Sequence, residues 1–125
     1  MKHAPSVFDK MVQLTVIDVE GKRITLRGLE GQLLVEVLAE HSHELGGDQV
    51  IGLSPEGRGM LEAHVTVPNE WLALLPPLTD EDRRVLEEIA PYVGRNSRLA
   101  SHVKLTHALN GFNIALGELR PWKTL

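Results

Sequence analysis

The sequence predicts an α+β fold in which a hairpin and later strands pack on one main helix, and three stretches carry that prediction. Residues 12–19 alternate Val12, Leu14 and Val16 against Gln13 and Thr15, and residues 22–27 continue with Ile24 and Leu26 spaced by two. That is a β-hairpin, with Glu20-Gly21 supplying the turn. Residues 32–41 then put Leu34, Val37, Leu38 and His41 at the spacing of one helical face. Residues 61–67 alternate again, Leu61, Ala63, Val65 and Val67 against Glu62, His64 and Thr66, which predicts a further strand of the same sheet.

The intervening segments are read from their punctuation. Gly46-Gly47, Gly52, Pro55, Gly57 and Gly59 make residues 42–59 a long loop. Residues 68–75 form a short helical turn that Pro76-Pro77 ends. Thr79-Asp80-Glu81-Asp82 reads as a capping box with Asp in place of Glu, so a helix begins there, with Val85, Leu86 and Ile89 as its apolar stripe and Pro91 as its stop. Residues 100–105 and 112–116 are two more strand candidates joined through Leu109-Asn110-Gly111. The order is ββα, loop, β, helices, ββ, with no internal repeat and no second domain.

With 125 residues, 42% hydrophobic and 24% charged, the chain has the balance of one domain with a sizeable core. Its net charge of −4 is spread along the sequence, which argues against nucleic acid or an anionic membrane surface as the main partner. No apolar run is long enough to span a bilayer, and Met1-Lys2-His3-Ala4-Pro5 lacks the features of a signal or transit segment, so a chain imported into an organelle is expected to be the mature form. The cysteine count is zero. A thiolate-held iron–sulfur cluster, a disulfide and a thiolate nucleophile are therefore outside its chemistry.

Particular words within this order resemble the 2Fe-2S ferredoxins of the mitochondrial, adrenodoxin-like branch. They are the hairpin Leu14-Thr15-Val16-Ile17-Asp18-Val19-Glu20-Gly21-Lys22-Arg23-Ile24-Thr25, the helix start Leu78-Thr79-Asp80-Glu81-Asp82, and Asn96-Ser97-Arg98-Leu99. The resemblance implies a ferredoxin-type β-grasp with a mixed sheet on one main helix and short helices. It spans residues 12–119, leaving 1–11 as an N-terminal extension and 120–125 as a tail. In that branch four cysteines hold the cluster in the pattern Cys-x5-Cys-x2-Cys followed by a distant fourth. Laid on this chain, with the third ligand just before His64 and the fourth just after Ala100, the pattern puts Ser54, Met60, Ala63 and Ser101 at the ligand positions. Serine is a poor cluster ligand, a thioether is neutral and alanine offers no donor, so the resemblance implies no 2Fe-2S cofactor here.

A second resemblance is carried by Asn69-Glu70-Trp71-Leu72-Ala73-Leu74-Leu75-Pro76-Pro77 and by Arg120-Pro121-Trp122. Both are similar to segments of the ferredoxin-like subunit of mitochondrial respiratory complex I in plants and algae. That family bridges the matrix arm and the membrane arm near the γ-carbonic anhydrase module and an acyl carrier protein. Its members have an incomplete cysteine set and hold at most a single metal ion. This chain departs further, having no cysteine at all, so that single ion is not expected here either.

The remaining chemistry-bearing residues are weighed against this reading. Of the six histidines, His3, His41, His43, His64, His102 and His107, two follow ligand positions directly. Strand alternation turns His64 to the face opposite Ala63, which favours ordinary surface or network histidines over a replacement metal site. His41-x-His43, at a helix end, suits a cationic or C-capping role. Ser54, Glu56 and Glu62 offer a hard cation some oxygens, but no calcium loop is present and solvated carboxylates are the plainer expectation. No nucleophile elbow or carboxylate pair marks an active site. Trp71 is expected in the core, and Trp122, in a Pro-flanked terminal segment, against its own domain or a partner. Arg83-Arg84 breaks the acidic helix face by which electron-transferring relatives meet their reductases.

The expectation is thus a non-redox structural subunit of mitochondrial complex I, on the matrix side of the inner membrane, with complex I subunits, the γ-carbonic anhydrase module and an acyl carrier protein as partners. Two alternatives stay open: a metal-binding or sensor module with His or carboxylate ligands, and a free-standing ferredoxin-fold adaptor.

Overall fold

The computed structural model describes residues 10–47, 50–53 and 61–121. The opening hairpin forms as expected, β1 (Met11–Ile17) running antiparallel to β2 (Arg23–Leu29) with Leu14 opposite Leu26 and Val16 opposite Ile24. Its turn is longer than Glu20-Gly21 alone. The Asp18 carboxylate accepts from the amides of Glu20 and Lys22 at 3.0 and 2.8 Å, and Gly21 closes the loop at a φ of +88°.

Helix α1 (Leu34–Glu40) buries Leu34, Val35, Val37 and Leu38 against the sheet. It starts where the Glu36 carboxylate accepts the Leu33 amide at 3.0 Å. It ends at His41, whose Nδ1 donates to the Val37 carbonyl at 3.0 Å, the capping role expected of this residue. The hairpin comes close to the helix at Gly28, where a methyl group would meet Leu105 and Val37 at 2.5 and 2.7 Å.

The described residues of the 42–59 segment, 42–47 and 50–53, are more structured than a loop. They contain the turn α2 (Ser42–Leu45) and the strand β3 (Gly52–Leu53), which pairs with β4 (Leu61–Glu62) in a small sheet of its own. The expected strand over residues 61–67 is therefore two strands. The chain leaves the small sheet after Glu62 and enters the main one as β5 (His64–Thr66), so alternation breaks at Ala63. A short helix α3 (Asn69–Leu72) and the helix α4 (Asp80–Ile89) follow. The Thr79 hydroxyl accepts the Asp82 amide at 3.0 Å while Asp82 reaches back to the Thr79 amide at 3.5 Å, the predicted capping box.

The last third departs most from expectation. Strand β6 is Ser97–Leu99, and the expected strand at 100–105 is replaced by a 3-10 turn, Ala100–His102, and a single bridge between Lys104 and Leu33. A second 3-10 turn, His107–Leu109, leads to β7 (Phe112–Gly117). β7 does not pair back on 100–105. It inserts between β1, in parallel, and β5, antiparallel, giving the mixed order β2-β1-β7-β5-β6. The reason is the start of α1: the amides of Gly31, Leu34 and Leu105 bond across to Leu105, Val103 and Gln32, so residues 103–105 spend their backbone groups on the helix entry rather than on a strand.

Two apolar clusters result. The larger lies between the sheet and α1, with Leu14, Val37, Leu38, Val65, Phe112 and Ile114 fully buried, and the smaller joins α4 to β6 through Leu86, Ile89, Leu99 and Leu119. Each buried large side chain contributes roughly 1.5–3 kcal/mol of transfer free energy. No helix among the described residues is long and apolar enough to cross a membrane.

Candidate functional site

Two of the four ligand positions, Ala63 and Ser101, are described, and the fold brings them together; Ser54, Met60 and the tail residue Trp122 lie outside the described residues. The Ala63 carbonyl accepts the Ala100 amide at 2.9 Å, which docks the 3-10 turn on the junction between β4 and β5. Between them sits Glu62. Its Oε1 accepts the Ala63 amide at 3.1 Å and the Ser101 amide at 3.0 Å, and its Oε2 accepts a short hydrogen bond from the Ser101 hydroxyl. The residue is only 4% exposed.

This corrects the expectation that Glu62 is a solvated carboxylate on the outer face of a strand. The switch from one sheet to the other at Ala63 swings Glu62 inward, a change that a single alternating pattern does not register. The signal available in the sequence was a long acidic side chain immediately before a ligand position, where the polar end must find donors if it is buried.

His64 goes to the other side, as alternation requires. It is 5% exposed, and its Nε2 lies 2.7 Å from the Ser97 hydroxyl, which also accepts the Gly94 amide at 2.8 Å. Nδ1 is buried without a hydrogen-bond partner among the described residues. An unpaired acceptor costs less here than an unpaired N–H, so the network assigns the proton to Nε2. The ring packs on Gly117, where a methyl group would collide with it. Burial lowers the imidazole pKa below its ordinary 6.5, because the charged form loses hydration. A cleft of about 320 Å³ beside it is lined by Val19, Thr66, Tyr92 and Glu118.

The other candidates scatter. His102 Nδ1 is 3.1 Å from Asp82 at the mouth of a cavity of about 430 Å³ bounded by Pro76, Pro77, Thr79 and Arg98. His43 and His107 are exposed. Among the described residues no three His, Asp or Glu side chains converge in a metal-holding geometry. Trp71 is half-buried and packs edge-on against Phe112, ring centroids 5.4 Å apart at 71°, as its core reading requires.

The strand order, the main helix and the placement of residues 63 and 101 define a ferredoxin-like fold of the adrenodoxin type, in the α+β class. No family model matches the chain. It is similar to a ferredoxin from Rhodopseudomonas palustris HaA2, with a TM-score of 0.63 and 24% identity over 90% of this chain and 99% of that one. It is also similar to a reduced cysteine-to-serine variant of putidaredoxin from Pseudomonas putida, with a TM-score of 0.67 and 17% identity over 84% and 95%. Among curated proteins it is 26% identical over 112 residues to "Adrenodoxin-like protein 1, mitochondrial" of Drosophila melanogaster, covering 90% of this chain. Over 111 residues, 89% of this chain, it is 28% identical to "Ferredoxin-2, mitochondrial" of Xenopus laevis. The chain spans 62% and 54% of the length of these two relatives.

A cysteine-to-glycine variant of putidaredoxin, described as an Fe2S2 ferredoxin, also shares the fold, with a TM-score of 0.65. The residues of this chain do not fit such a cluster. It needs thiolate donors, and there is no cysteine. Ala63 presents a buried methyl, and the Ser101 hydroxyl is already committed to Glu62.

Proposed function

We propose that this chain is a ferredoxin-fold protein that performs no redox step and serves as a structural subunit of mitochondrial NADH:ubiquinone oxidoreductase, complex I, bridging the matrix arm and the membrane arm near the γ-carbonic anhydrase module. The observation that carries the non-redox half is the ligand region itself, where a carboxylate bonds the residues that would otherwise meet a cluster. Support for the bridging half comes from the segments around Trp71 and Arg120-Pro121-Trp122, which resemble the complex I bridge subunit of plants and algae. The mitochondrial names of both curated relatives support a mitochondrial location, and the bridging role would put the chain on the matrix side of the inner membrane.

In this role the fold supplies shape. A rigid mixed sheet backed by α1 holds surfaces at fixed separations, and partner subunits, including an acyl carrier protein, dock on them. The test is removal: complex I from cells lacking this chain is expected to fail in arm assembly, and the tagged protein to co-migrate with the megadalton complex on a native gel. A fully assembled complex with unchanged arm geometry in its absence would end the bridging role.

A further inference from the structure

Among the described residues, every hydrogen bond that reaches the Glu62 carboxylate comes from a ligand position: the amide of Ala63, the amide of Ser101 and the hydroxyl of Ser101. We infer that the Glu62 carboxylate is an internal replacement for the metal group of the ferredoxin fold, an acceptor built into the chain that ties β4 to the Ala100–His102 turn and closes the ligand region without metal. The inference rests on the reading of this chain as free of a cluster.

The geometry favours this over a chance surface contact. Glu62 stands at the end of a two-residue strand, one residue before the chain passes into the main sheet. It is buried. A buried carboxylate is costly unless its lone pairs are met, and here one oxygen takes two amides while the other takes the hydroxyl. The converse need is as strong. The turn at Ala100 gives its first amide to the Ala63 carbonyl and its second, that of Ser101, to Glu62. Without Glu62, the amides of Ala63 and Ser101 lose the acceptor they share.

The position also explains how serine and alanine coexist at the two described ligand sites. Ala63 is fully buried and adds only a methyl to the main core. Ser101 is half-buried and turns its hydroxyl to the carboxylate rather than away from it. Alanine leaves room, serine donates, and glutamate from the neighbouring position accepts. These three residues form one hydrogen-bonded unit.

The test is site-resolved hydrogen exchange on the full chain. In Glu62→Ala, the amides of Ala63 and Ser101 are expected to exchange about tenfold faster or more, while those of Leu14 and Leu26 in the opening hairpin stay protected. Ser101→Ala, which removes one donor and keeps the fold, is the second variant, and it raises exchange of the Ala63 amide by a few-fold through the loosened carboxylate. If Glu62→Ala does not fold, Ser101→Ala decides alone. Wild-type protection of Ala63 in Ser101→Ala, or of both amides in Glu62→Ala, overturns the role given to Glu62. Uptake of iron and sulfide by the wild-type protein on anaerobic reconstitution overturns the cluster-free reading instead, so the two failures are distinguishable.

Discussion

Glu62 and His64 stand two residues apart, both buried, and the chain treats their polarity in opposite ways. Both oxygens of Glu62 are engaged, by two amides and a hydroxyl. His64 has one nitrogen paired with Ser97 and the other without a partner among the described residues. A fully met polar group fixes the structure around it, whereas a half-met one charges the fold for its burial and makes it sensitive to protons. The junction at Ala63 separates the two regimes, because the chain passes there from the small sheet to the main one.

The comparison can be broken or sharpened by substitution, beginning with the largest effect. Glu62→Ala leaves several donors without an acceptor, and a loss of about 3 kcal/mol in chemical denaturation is expected, given roughly 1–3 kcal/mol for each unmet buried group. A loss under about 1 kcal/mol would mean that Glu62 is no better satisfied than His64. Gly117→Ala drives a methyl into the imidazole and is expected to cost about 2 kcal/mol, the usual range for overpacking. Replacing His64 by a smaller side chain in the same protein should return much of that loss, since the collision is with the ring.

Ser101→Ala removes a single hydroxyl donor from Glu62 and should cost about 1 kcal/mol in the same denaturation measurement. The mildest effect is a pH dependence. Because the folded state holds the His64 proton less well than the unfolded chain, the contribution is constant well above 6.5, where the group is neutral in both states. As the pH falls below 6.5 the unfolded chain takes the proton first and stability declines, until the pH has passed the lowered folded value. Thermal melts of wild type and His64→Gln between pH 7.5 and 5 read this out. Their difference should shrink toward the acid side, and a constant difference would remove the assignment.

Much of the fold was legible because its signals are local. The hairpin alternation, the stripe of Leu34, Val37 and Leu38, and the Thr79 box each depend on residues within one or two turns of each other. The segment 100–105 was misread because its apolar spacing suits a strand, while the long-range bonds to Gly31, Gln32 and Leu34 that hold it as a turn have no local signature. Glu62 was misread for a related reason: the reversal of facing at Ala63 comes from a change of sheet partner, which period-two patterning cannot express. The ligand positions themselves emerged only from the resemblance, since Ala63 and Ser101 carry no chemistry that would single them out.

This ferredoxin fold is proposed to be closed by its own carboxylate and to carry no cluster. Anaerobic reconstitution of the wild-type protein with ferrous iron and sulfide, followed by desalting and assay of bound iron and acid-labile sulfide together with the melting temperature, tests it directly. The account predicts no retained iron or sulfide and an unchanged melting temperature. Stoichiometric iron and sulfide with a raised melting temperature would contradict it.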